Sequence, residues 1–112
     1  MKVEVNGKIL SHELKIASSF FSRLIGLMFK KGMQGYDGLL IKQCNSIHTF
    51  FMFFTIDAIF LNKNNEVIKI YRNLKPWRMT RIVWRASQCL ELNGGTIPDN
   101  LKEGDSLSIC TN

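Results

Sequence analysis

Along this chain the spacing of apolar residues changes once. Near the start Val3 and Val5 alternate with charged residues, and Asn6-Gly7 follows as a strong two-residue turn signal, so KVEVNGKIL reads as a β-hairpin. Residues 18–32, SSFFSRLIGLMFKKG, carry Phe20, Leu24, Leu27 and Met28 at helical spacing, which predicts one amphipathic helix. Ser18 or Ser19 can cap its start, Lys30 and Lys31 suit its negative end, and Gly32 can close it. Gly26 inside that helix costs ~1 kcal/mol against alanine, which points to a close packing contact there.

After Gly32 the pattern is that of short strands bounded by turn residues: GLLIKQ (38–43), IDAIFLN (56–62), EVIKIYR (66–72), RASQCLEL (85–92) and DSLSIC (105–110). Asn62-Lys63-Asn64-Asn65 reads as a hairpin loop, and NGGTIPDNLKEGD (93–105) as a turn-rich connection with one helical turn near Pro98. The expected fold is therefore mainly β: a compact β-sandwich or barrel-like sheet, with one N-terminal amphipathic helix packed on it. Residues 1–112 are expected to form a single domain.

The blocks RLIGLMFK (23–30), GLLIKQCNSIHTFFMFFTIDAIFLN (38–62), LKPWR (74–78), CLELNGGT (89–96) and EGDSL (103–107) together cover nearly the whole chain. In order and spacing they resemble the prokaryotic family known as domain of unknown function number 192. The block CNSIHTFFM is the most specific of them. Gln43 and Phe54 stand where that family often has proline, which alters turns rather than the fold. The resemblance implies a compact, mainly β architecture and supplies no activity. Some relatives are exported behind signal peptides.

Apolar residues make up 46% of the chain, enough for a core. The run from Ile47 to Leu61 is interrupted by His48 and Asp57 and is shorter than the ~20 residues a membrane-spanning helix needs. MKVEVNGKIL lacks the apolar core of a signal peptide. Cys44, Cys89 and Cys110 are odd in number and scattered, so a disulfide framework and a structural zinc site are not expected. A cytoplasmic monomer without cofactor or metal is the expectation.

Two stretches carry candidate chemistry. In QCNSIHTFFMFFTIDAIFLN, residues 43–62, Cys44 and His48 have the residue types of a nucleophile and its base, with Asp57 as an orienting acid. Against this, Cys44 also suits the core, His48 a hydrogen-bonded loop strut and Asp57 a buried anchor, and these readings are preferred. The phenylalanines at 50, 51, 53 and 54 read as a strand covered on both faces, partly by the helix stripe. The second stretch, 69–85, holds six cations and no acid, which accounts for the whole net charge of +6. Arg72, Lys75, Trp77, Arg78 and Arg81, with His48 and Thr49 nearby, are the candidate contacts to an anionic ligand. The function expected is that of a small binding or accessory domain for an anionic small molecule, an acidic protein or a membrane head group. A Cys/His hydrolase or transferase and a purely structural partner subunit are the alternatives. Nucleic acid fits the charge, but no recognised nucleic-acid-binding motif is present.

Overall fold

The computed structural model describes residues 1–110 as eight strands and one short helix in two sheets. The strands are β1 (Lys2–Val5), β2 (Lys8–Ser11), β3 (Leu14–Ala17), β4 (Gly38–Lys42), β5 (Ile56–Leu61), β6 (Val67–Leu74), β7 (Gln88–Asn93) and β8 (Ser108–Cys110), and the helix is α1 (Phe20–Ile25). A three-stranded sheet has the order β2-β1-β8 and a five-stranded sheet the order β3-β4-β7-β5-β6. Among the described residues the sheets are separate, and no barrel closes. All pairings between named strands are antiparallel except β3 with β4. The β1–β2 hairpin turns at Asn6-Gly7, both with positive φ, as the sequence predicts.

The three central strands of the large sheet, β4, β7 and β5, are buried on both faces. Leu40, Ile59, Leu61, Leu90 and Leu92 on one face meet Val3, Val5 and Leu10 of the small sheet, which makes the sandwich core. Leu39, Ile41, Ala58, Phe60 and Cys89 on the other face form a second core, closed mainly by Leu27, Ile47 and Met52. Side chains of a strand alternate between faces, so burial on both sides requires apolar residues at every position. β5 satisfies that requirement everywhere except Asp57.

Four elements differ from the sequence-based expectation. Strand β3 has no counterpart among the predicted strands; its four residues alternate weakly, and its pairing to β4 is nonlocal. The helix is only six residues long. Ser19 caps it in a reciprocal bond pair with Ser22, but Gly26 ends it with φ 49°. Nothing crowds the Cα of Gly26, so this glycine serves a turn rather than a packing contact. The apolar stripe of α1 is exposed rather than spent on the sheet: Phe20, Phe21, Leu24 and Ile25 all stand in solvent, and Leu27, beyond the helix end, reaches the core. Finally, the phenylalanine run is a loop. Met52 is buried there, whereas Phe51 and Phe53 are exposed, and the strand begins only at Ile56.

Asp57 is 1% exposed and accepts hydrogen bonds from the backbone N–H of Asn73 (2.8 Å) and of Ile97 (2.9 Å). Its carboxylate thus joins the end of β6 to the 93–101 connection. Arg72 completes the same junction by donating to the carbonyls of Ile97, Pro98 and Leu101. We predict that Asp57→Ala, which orphans two amides, lowers unfolding stability in urea by about 2–4 kcal/mol. A loss below about 1 kcal/mol would contradict this anchoring role.

Candidate functional site

The second face of the large sheet is covered by loops, and the loops are held by side-chain hydroxyls. Thr49, fully buried, donates its hydroxyl to the Lys75 carbonyl (2.6 Å) and accepts from the Arg78 amide (2.8 Å). Its own amide donates to Arg78 O (2.8 Å), and its carbonyl accepts from Trp77 N (3.0 Å). Thr80 bonds Ile47 in the same manner, with the Ile47 amide donating to its Oγ1 at 3.0 Å. Segments 47–49 and 78–80 are thereby fixed side by side, with a bridge between His48 and Met79.

Beneath this cover and α1 lies a pocket of about 210 Å³. Ile41, Leu27, Ile47 and Met52 make most of its apolar wall, and Arg23, Cys44 and His48 also line it. Glu91 of β7 also lines it. The residue is 3% exposed, and its Oε2 has no hydrogen-bond partner among the described residues. Burial pushes the Glu91 carboxyl up to about 8, so at neutral pH the acid is mostly protonated.

The structure places Cys44 and His48 on one pocket and Asp57 elsewhere, bonded to Asn73 and Ile97. Burial pushes the Cys44 thiol up to about 11, and its Sγ donates to the Ser46 carbonyl at 3.1 Å. His48 accepts from the Phe50 amide through Nδ1 (3.2 Å) and stacks on the Phe50 ring. A thiol held protonated in this way is a poor nucleophile, because the thiolate is the reactive species. Of the basic segment, Arg72 is engaged in the fold, while Lys75, Trp77, Arg78 and Arg81 are exposed. Among the described residues no cluster of His, Cys, Asp and Glu is arranged to hold a metal.

Two features escaped the sequence reading. Glu91 sits in CLELNGG, where an acid beside leucines fits a half-exposed strand; only the central position of β7 buries it. The other is an aromatic cluster. Phe29 and Phe51 rings lie 5.2 Å apart and Phe51 and Trp77 rings 4.8 Å apart, and all three side chains are between 43% and 64% exposed. All three residues also have positive φ, 63–65°, a conformation uncommon for bulky side chains. No local sequence signal marks that convergence.

These observations define a small two-sheet β domain with a loop-covered pocket. The chain belongs to the family of domain of unknown function 192, described as Uncharacterized ACR, whose profile matches residues 1–109. It is similar to a UPF0127 protein of Pyrococcus horikoshii, 44% identical over 70 residues, covering 60% of this chain and 60% of that one. A UPF0127 protein of Pyrococcus furiosus is 40% identical over 75 residues, 64% of each chain. The match thus spans less than two thirds of either relative's length. A UPF0127 protein of Thermococcus kodakarensis is 30% identical over 110 residues, 94% of this chain and 69% of that one. The fold is shared with a solved structure of a protein of unknown function from Novosphingobium aromaticivorans, with TM-score 0.77 and 20% identity over 96% of this chain and 84% of that one. A Sinorhizobium meliloti protein described as a candidate transcription regulator gives TM-score 0.76 and 21% identity, over 96% and 89% of the two chains. At these identities the structural likeness shows the fold alone.

The raised Glu91 carboxyl makes a signed prediction. The folded chain holds this proton up to about pH 8, whereas an unfolded glutamate loses it near 4.5. The group therefore imposes no penalty at low pH, and stability falls as pH rises between those values, by up to a few kcal/mol. Thermal unfolding followed from pH 5 to 9 should show this decline in the wild type and a flatter profile in Glu91→Gln. Parallel profiles would contradict the burial of an unpaired acid.

Proposed function

We propose that this protein is a binding domain that docks on an anionic lipid surface through its cationic and aromatic face. The observation that carries the reading is the exposed cluster of Phe29, Phe51 and Trp77, set in a part of the chain without acids. Segments 14–36, 38–56 and 67–90 contain eleven of the fifteen Lys and Arg residues and no Asp or Glu. α1 also exposes Phe20, Phe21, Leu24 and Ile25, with Arg23 among them in sequence. Exposed apolar side chains scattered singly are ordinary; a contiguous group rimmed by cations marks an interaction surface.

The chemistry favours a bilayer over a protein. A second copy of the chain would bring like charges together across a symmetric contact. Lysine is depleted at protein interfaces, whereas aromatic anchors flanked by Lys and Arg suit the boundary between acyl chains and anionic head groups. Side chains that stand out from turns and a short helix can enter a bilayer without a matching partner shape. Lys75, Arg78 and Arg81 supply the attraction, and Trp77, Phe51 and Phe29 the insertion.

Co-sedimentation with phosphatidylcholine vesicles, with and without phosphatidylglycerol, tests the reading. We predict binding to the mixed vesicles alone, weakening with salt because the screening length is ~8 Å at physiological ionic strength. Lys75→Glu with Arg78→Glu should cost at least about tenfold in affinity, given ~1 kcal/mol per cation near such a surface. Phe29→Asn with Phe51→Asn should abolish binding while preserving the fold, because asparagine tolerates positive φ. Equal binding by wild type and both variants, or binding to polyglutamate in place of vesicles, would contradict the lipid assignment.

A further inference from the structure

The pocket beneath α1 is lined by none of Lys75, Arg78 and Arg81, and its chemistry is different from theirs. Native structures leave few buried polar groups unpaired, and each such group calls for a partner. Glu91 is such a residue: its Oε2 is buried without a partner, and its side chain lines a pocket whose wall is otherwise mostly Ile41, Leu27, Ile47 and Met52. We infer that this pocket binds a small neutral molecule with an apolar body and one polar end that accepts a hydrogen bond from the Glu91 carboxyl.

Three observations set the ligand class. The cavity of about 210 Å³ has room for a molecule of about half a dozen heavy atoms, below the usual size of drug-type sites. Its walls are aliphatic and sulfur-bearing, with Met28, Met52 and Cys44 supplying adaptable surface to an apolar chain. A cationic ligand is opposed in two ways. Arg23 lines the same pocket, its guanidinium held by Gln43 Oε1 at 3.0 Å, and burying a charge pair would cost desolvation of both partners. A neutral amide, ketone or alcohol avoids both costs. It gives the carboxyl the partner that the fold withholds, and that hydrogen bond is made away from competing water.

The pocket is also built to admit a guest. Gly26 turns the chain sharply at the end of α1, so one wall is a short helix whose own residues are not buried. No residue of α1 is locked into the core, and Arg23, Ser46 and His48 lie toward solvent.

Nuclear magnetic resonance titration with pentanamide, and with n-hexylamine as a cation of equal heavy-atom count, tests the inference. The readouts are the methyl resonances of Ile41, Ile47, Leu27 and Met52. Pentanamide is expected to shift these methyls, and n-hexylamine to shift them less at equal concentration. Glu91→Leu should weaken pentanamide binding by about three- to tenfold, the worth of one hydrogen bond, while raising thermal stability because an unpaired polar group is removed. Glu91→Gln should bind within about twofold of wild type, since its amide can still donate. Cys44→Met, which adds bulk to the pocket and leaves the acid in the chain, should lower binding in a folded protein. The inference is overturned if pentanamide shifts none of these methyls, if n-hexylamine binds more tightly, or if Glu91→Leu binds as well as wild type. Because these probes carry no anionic group, failure here leaves the vesicle result untouched, and failure of vesicle binding leaves this one untouched.

Discussion

Loops cover the central strands on one face of the five-stranded sheet, and a buried loop must find partners for its own backbone. A helix or strand satisfies its amides internally or from a neighbouring strand; the 43–55 and 75–86 segments do so only in part. Thr49 resolves most of that difficulty at one point. Its hydroxyl, amide and carbonyl together engage Lys75, Trp77 and Arg78, while the residue itself is fully buried. Thr80 repeats the arrangement against Ile47, and Asp57 does the equivalent for Asn73 and Ile97. Small polar side chains pointed inward are what allow an apolar face to be closed without regular structure.

A cover made of turns packs less completely than a helix or sheet, and two consequences follow. One is the pocket between α1, Met52 and Ile41, into which Glu91 brings a carboxyl without a partner. The other is conformational. Tight turns force Phe29, Phe51 and Trp77 into positive φ, at a cost of order 1–3 kcal/mol each. Their rings then meet on the surface instead of in the core. Strain and exposure thus fall on the same three residues.

The mainly β class and most strand positions could be read from local patterns because those patterns act locally, whereas the choice between a sandwich and a barrel could not. Asn6-Gly7 turns a hairpin by its own dihedral preferences, and the β5 run is apolar because both of its faces are buried. Other features depended on distant partners. The stripe Phe20, Leu24, Leu27 and Met28 has helical spacing, yet Gly26 stops the helix and leaves its first half in solvent. Phe50 to Phe54 have strand composition, but the Thr49 bonds hold that segment as a loop. Cys44 and His48 were legible as neighbours of one site; Glu91 was not, because its burial comes from strand order rather than from CLEL itself. Arg72 looked like a free cation and proved to be a strut across the 97–101 turn.

The pocket and the exposed aromatic cluster are both products of the loop cover, and the unpaired acid is the most specific consequence of it. Carbon-13 resonance of the Glu91 side-chain carboxyl, followed through a pH titration, reads that consequence directly. The account predicts a midpoint raised to about 8. A midpoint in the ordinary glutamate range near 4.5 would show that the carboxyl is hydrated or paired, and would contradict the account of the site.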